Sequence, residues 1–167
     1  MKHSFTCTDG NIILRPLSRS DSEQYRLLRN QENNRHCFIF SDPISSEAQK
    51  NWYENYLLEK GDYMFAVYSQ DDHFLGGAAL YHFSTDSAEF GRIVIDEKYA
   101  GKGVGYRVLS LLCQLAKEQM GLSMLHLEVF ADNQPAKRLY EKAGFLLKRK
   151  YPSPKPSQEL LYMEKLL

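Results

Sequence analysis

Apolar and polar residues change their spacing repeatedly along the chain, and each change predicts an element. Asn11 to Pro16 (NIILRP) reads as a first strand. Ser20-Asp-Ser-Glu23 has the spacing of a capping box and predicts a helix running towards Asn30. A second box, Ser46-Glu-Ala-Gln49, opens a helix through Trp52, Tyr53, Tyr56 and Leu57, which recur at helical spacing. Strands follow over Tyr63 to Ser69 and Phe74 to Phe83, joined by the polar turn Gln70-Asp71-Asp72-His73, so a hairpin is expected. Ala88 to Asp96 (AEFGRIVID) is a third run, in which Gly91 marks either a bulge or a close backbone approach. Val108, Leu109, Leu112, Cys113 and Ala116 form a helical stripe, and Met124 to Val129 a short buried strand. Asn133 can cap a helix striped by Ala136, Leu139, Tyr140 and Ala143 and ended by Gly144. Phe145 to Tyr151 and Leu160 to Lys165 finish the chain as strands around the loop Tyr151–Ser157.

The order β, α, α, β, β, β, α, β, α, β, β predicts an α+β protein, a mixed sheet with helices on its faces. At 167 residues, a folded monomer buries roughly 70% of the surface of its extended chain, enough for one core, so residues 1–167 are expected to form a single domain. The 21 basic and 21 acidic side chains cancel, which argues against a general nucleic-acid binder. No apolar run is long enough to cross a membrane, and the first residues lack an apolar signal region. Cys7, Cys37 and Cys113 are scattered, which predicts reduced thiols and a cytoplasmic protein. The five histidines show no paired-ligand spacing, and no metal site is expected.

Chemistry concentrates in Ile93-Val94-Ile95-Asp96-Glu97-Lys98-Tyr99-Ala100-Gly101-Lys102-Gly103-Val104-Gly105. Alternate glycines let the backbone approach a ligand, and the helix that follows turns free N–H groups and a positive dipole end towards it. Lys98, Lys102 and Arg107 add positive charge, as a phosphate or pyrophosphate cradle requires. A P-loop is excluded because Gly103 follows Lys102, and a dinucleotide fingerprint because Tyr106 stands at its last glycine. A glycine-rich turn that holds nothing is the other reading of the same residues, and a phosphate site unrelated to any thioester is a third.

This segment resembles the acyl-CoA-binding motif of the GNAT superfamily of N-acetyltransferases, [RQ]xxGx[GA]. Gly103 and Gly105 match, while Ala100 stands where the family usually has Arg or Gln. Leu127-Glu128-Val129, then Asn133, Ala136 and Leu139-Tyr140-Glu141-Lys142-Ala143-Gly144-Phe145, are similar to the family's second signature. The two lie in family order across Ala88 to Phe145. The resemblance implies a GNAT-like sheet of about seven strands, antiparallel in its N-terminal part, flanked by about four helices in αβα layers.

It also implies acetyl-CoA as co-substrate and direct attack of a primary amine on the thioester. The cofactor-binding set it implies is Ile93, Val94 and Ile95 on the splayed strand, Ala100 to Tyr106 (Ala100, Gly101, Lys102, Gly103, Val104, Gly105, Tyr106), Asn133 and Lys142. Tyr140 occupies the place of the family's acid for the leaving thiolate. Read from its own neighbours alone it could equally fill the apolar stripe. An amine is mostly ammonium at pH 7, so a base is required, and Glu89 and Glu128 are the candidates, each beside apolar strand residues. His82 and His126 are weaker ones.

The family layout places the acceptor pocket between about Arg26 and Leu58, with Arg29, Asn30, Phe40 and Tyr81 expected to bind substrate. Tyr81 and Phe83 can stack on a ring or pack the core. Arg29-Asn30 and the aromatic run after Cys37 resemble relatives that acetylate amino sugars on nucleotides, and also relatives that modify ribosomal-protein N-termini. The expected acceptor is a small-molecule amine, an amino-sugar nucleotide preferred, handled by a monomer or homodimer without nucleic acid or membrane. A protein N-terminus and a non-catalytic acyl-CoA-binding module are the alternatives.

Overall fold

A computed structural model describes all 167 residues. The elements are β1 (Cys7–Thr8), β2 (Ile12–Pro16), α1 (Arg19–Arg29), α2 (Glu32–Arg35), α3 (Ser46–Leu58), β3 (Tyr63–Ser69), β4 (Phe74–Tyr81), β5 (Ser87–Ile95), α4 (Val104–Glu118), β6 (Met124–Phe130), α5 (Gln134–Lys142), β7 (Leu146–Pro152) and β8 (Glu159–Leu166), with a 3-10 turn at Glu97–Tyr99. Eight strands form one sheet in the order β1-β2-β3-β4-β5-β6-β8-β7, one more than expected because the two-residue β1 has no sequence pattern of its own. The four-residue α2 is likewise additional. Every pair is antiparallel except β5 and β6.

Both early helices start earlier than the boxes predict. Ser18 caps α1: its hydroxyl accepts from the Asp21 amide at 3.2 Å, and the Asp21 carboxylate accepts from the Ser18 amide at 2.9 Å. Aspartate closes this box as glutamate would, and Glu23 instead pairs with Arg26 at 2.6 Å. Ser45 caps α3 through the Ala48 amide, and Gln49 is released to donate to the Ser22 hydroxyl at 2.8 Å, tying α3 to α1.

The layers follow from strand alternation. On one face Ile12, Leu14, Phe65, Val67, Ala78, Leu80, Ala88 and Phe90 pack with Val108, Leu109 and Leu112 of α4 and with Tyr140 of α5. On the other, Met64, Ala66, Tyr68, Ala79 and Val94 pack with Tyr25 of α1 and with Tyr53 and Tyr56 of α3. Burying a large apolar side chain stabilises by about 1.5–3 kcal/mol, so these two clusters hold the sandwich. Phe90 and Val94 are four residues apart on one strand yet lie in opposite cores. A bulge explains this: Gly77 pairs with Val94 but Ala79 pairs with Gly91, so β5 carries one extra residue and its alternation inverts.

Candidate active site

Pairing between β5 and β6 stops at Glu89–His126, although the strands run on to Ile95 and Phe130. Their outer neighbours keep their partners to the end, Ile95 on Gly76 and Phe130 on Leu160. The two strands therefore diverge, and Ile93, Val94 and Ile95 turn main-chain groups without a strand partner towards the gap. A cavity of about 780 Å³ fills it, lined by β5, β6, the Ala100–Tyr106 turn, α5, Tyr81 and the segment after α1.

The bulge shapes the cavity wall. Arg92 has φ +52°, in the left-handed region, and Tyr25 of α1 donates to its carbonyl at 2.8 Å. Its guanidinium lies 4.3 Å over the Tyr81 ring and donates to both oxygens of Asp62 at 2.8 Å. Arg92 was not among the residues singled out from the sequence, and its signal was a lone cation after Gly91 inside an apolar strand.

At the opposite end α4 begins at Val104 behind Gly103, which has φ +76° and no capping side chain. The N–H groups of the first turn have no intrahelical acceptor, no acid precedes them in that turn, and the positive dipole end faces the cavity. A Cβ on Gly103 would meet nothing of this chain within 4 Å, so the surface is open for a ligand rather than filled by packing. These groups fit the phosphates of acetyl-CoA. Ala100, Gly101, Gly103, Val104, Gly105 and Tyr106 line the cavity, and Lys142 reaches it with its ammonium 4.9 Å over the Tyr106 ring. Lys102 does not line it; its ammonium lies 5.3 Å over the Tyr99 ring. Asn133 both lines the cavity and caps α5, accepting from the Ala136 amide at 3.2 Å.

Tyr140 is buried on the α4/α5 side, edge-on to Phe90 with ring centroids 6.1 Å apart, and it lines the cavity. Burial, then the neighbouring Cys37 thiol, raises its hydroxyl pKa, which keeps it protonated. Across the gap, Glu89 and Glu128 face the α1/α3 side, because their neighbours Phe90 and Leu127 face α4 and α5. Glu89 accepts from Tyr81 Oη at 2.8 Å and contacts His82 Nδ1 at 2.8 Å. Glu128 accepts from the Tyr151 hydroxyl. Burial, then the Glu89 charge, raises the Glu128 pKa above the usual carboxylate value. His126 is held neutral chiefly by burial.

Arg29, Phe40 and Tyr81 line the cavity; Asn30 does not. The Asn30 amide donates to the Ile44 carbonyl and accepts from the Ile44 amide, both at 2.8 Å, which pins the loop that carries Phe40. Asn30 is thus corrected from a substrate contact to an anchor of the pocket wall. Cys37 and Phe38, in the aromatic run expected to belong to the acceptor region, line the cavity too.

A family profile described as "Acetyltransferase (GNAT) domain" matches residues 11–146. An uncharacterized N-acetyltransferase, YokL, of Bacillus subtilis is 24% identical over 145 residues, 83% of this chain and 78% of that one. The spermidine N(1)-acetyltransferase of Vibrio cholerae is 26% identical over 143 residues, covering 83% and 80%. A crystal structure of spermidine N-acetyltransferase from Vibrio cholerae in complex with CoA and spermine superposes with a TM-score of 0.85. It is 22% identical, covering 95% of this chain and 96% of that one, and shares the fold.

Proposed function

We propose that this chain, which belongs to the GNAT family of acetyltransferases, carries the acetyl group of acetyl-CoA to the primary amine of a small molecule by direct attack. One observation carries the reading: the gap where β5 leaves β6 opens into a single cavity that the uncapped start of α4, Glu89, Glu128 and Tyr140 all line.

Acetyl-CoA supplies the activated acyl thioester. The amides of Gly101 to Tyr106 hold its phosphates, and an unpaired amide within Ile93–Ile95 donates to the oxyanion that develops on the thioester carbonyl. The amine nitrogen forms the new C–N bond, the C–S bond breaks, and Tyr140 protonates the departing thiolate. Glu89 accepts the ammonium proton, directly or through a water, and passes it to His82, whose side chain is 73% exposed to solvent. Glu128, its pKa already raised, is the second base of the pair.

An amino-sugar nucleotide is the preferred acceptor, supported by the aromatic lining of Phe38, Phe40 and Tyr81 beside Arg29. A polyamine is the second reading, favoured by the two neighbouring carboxylates and by the spermidine acetyltransferase relative. Thiol release from acetyl-CoA, measured over a panel of UDP-glucosamine, spermidine and an alanine-initiated peptide, decides among them. Turnover of the peptide alone would overturn the small-molecule reading.

A further inference from the structure

The cavity wall carries one buried cation that nothing in the chain balances. Arg29, at the end of α1, is 6% exposed and lines the cavity wall. Its Nη2 donates to the Phe40 carbonyl, its Cζ lies 4.0 Å over the Phe38 ring, and its Nη1 is buried with no hydrogen-bond partner. No carboxylate pairs with it. Burial lowers its pKa, and the one group opposing that shift is Tyr25, a phenol that burial itself keeps protonated. Arg92, the other arginine of the wall beside β5, has both oxygens of Asp62. A guanidinium buried without an anion is costly, and its rigid fork suits a carboxylate or a phosphate.

We propose that Arg29 binds an oxyanion, carboxylate or phosphate, carried by the acceptor, so that the substrate is an amine bearing an anionic group and not a polycation. The proposal deepens the acetyltransferase reading and rests on it. The cavity then has two poles. Glu89 and Glu128 receive the ammonium end, and Arg29 receives the anionic end. A polyamine would answer the first pole and set a second cation before the unpaired one. Nη1 is buried, so an acceptor reaches it when the Cys37–Phe40 segment shifts; Phe40 is 84% exposed, whereas the Phe38 ring packs against the α1/α3 core.

The test uses one sugar scaffold with and without the charge. Glucosamine, glucosamine 6-phosphate and muramic acid are compared with spermidine as acceptors for the wild type, Arg29→Lys and Arg29→Gln. The expected result is a kcat/KM at least tenfold higher for an anionic sugar than for glucosamine or spermidine. Arg29→Gln should remove that advantage, with Arg29→Lys between. The order of the phosphate and carboxylate sugars identifies the source of the anion. A wild type that prefers spermidine overturns the proposal, as does a loss shared equally by all acceptors, which would make Arg29 only an anchor for Phe40. Calorimetric titration of the two anionic sugars in the presence of CoA reads the same contact without turnover. Binding that Arg29→Gln abolishes, with no acetyl transfer, would keep the anion site and overturn the transferase reading for these amines. Binding that Arg29→Gln leaves intact overturns the anion site.

Discussion

Tyr81 and Glu89 face each other as cross-strand partners on β4 and β5, and the Tyr81 hydroxyl donates to the Glu89 carboxylate at 2.8 Å. The contact depends on the missing side chain at Gly91, where a Cβ would lie 2.5 Å from the Tyr81 oxygen and 3.1 Å from Cε1. Gly91→Ala is therefore expected to push the ring off Glu89, destabilise the fold by about 1–3 kcal/mol and lower kcat/KM. In the double variant with Tyr81→Phe the closest clash is gone, so part of the lost stability should return. Calorimetric melting of the four proteins checks this. An unchanged melting temperature for Gly91→Ala would show that the ring moves freely and is not positioned by that glycine.

Gly103 is a different case, because a Cβ there meets nothing of the chain within 4 Å. Gly103→Val costs the strain of a β-branched residue at φ +76°, about 1–2 kcal/mol, and leaves the core untouched. It also fills the space that the first amides of α4 offer to a phosphate. The expected outcome is a folded protein without measurable acetyl-CoA binding by isothermal titration. Binding at wild-type strength would remove the phosphate role from this turn.

The elements were legible wherever the apolar period was long. The α4 stripe of Val108, Leu109, Leu112, Cys113 and Ala116 is buried throughout, and the β3–β4 hairpin closes at Gln70–His73 as expected. The glycine turn was legible because conformational need restricts its residues. Boundaries were less so: Ser18–Asp21 and Ser20–Glu23 are equally good boxes on paper, and burial of Asp21 beneath the Tyr68 hydroxyl selects the first. Asn30 shows the limit for the site. A polar residue beside Arg29 reads as a contact, yet its amide serves Ile44, 14 residues away. Nor could spacing reveal that Arg29 lacks an anion or that Arg92 has one, since Asp62 reaches it from 30 residues off.

Tyr140 and Cys37 both line the cavity, and burial raises the pKa of the Tyr140 phenol. A thiolate released into the same surroundings is made more basic for the same reason, which keeps proton transfer from the phenol accessible. Tyr140→Phe should lower kcat about 100-fold, the low end of general acid catalysis, with acetyl-CoA affinity nearly unchanged. Stopped-flow detection of the first turnover separates chemistry from product release. A first turnover at the wild-type rate would assign the leaving-group proton to water.

The Glu128 pKa is raised in the folded state, first by burial and then by Glu89, above its ordinary value of 4.5. A carboxyl that holds its proton more tightly when folded contributes stability below the unfolded pKa. That contribution is lost as pH rises through the higher folded value, so at neutral pH the ionised carboxylate opposes folding. Glu128→Gln removes the charge while keeping an oxygen for the Tyr151 hydroxyl. It should therefore melt above the wild type at pH 7, and the gap should close as pH falls towards 4.5. Melting curves of the two proteins across this pH range check the statement. A gap that widens on acidification would mean that Arg149 and His82, the cations that oppose the shift, dominate the carboxylate's surroundings.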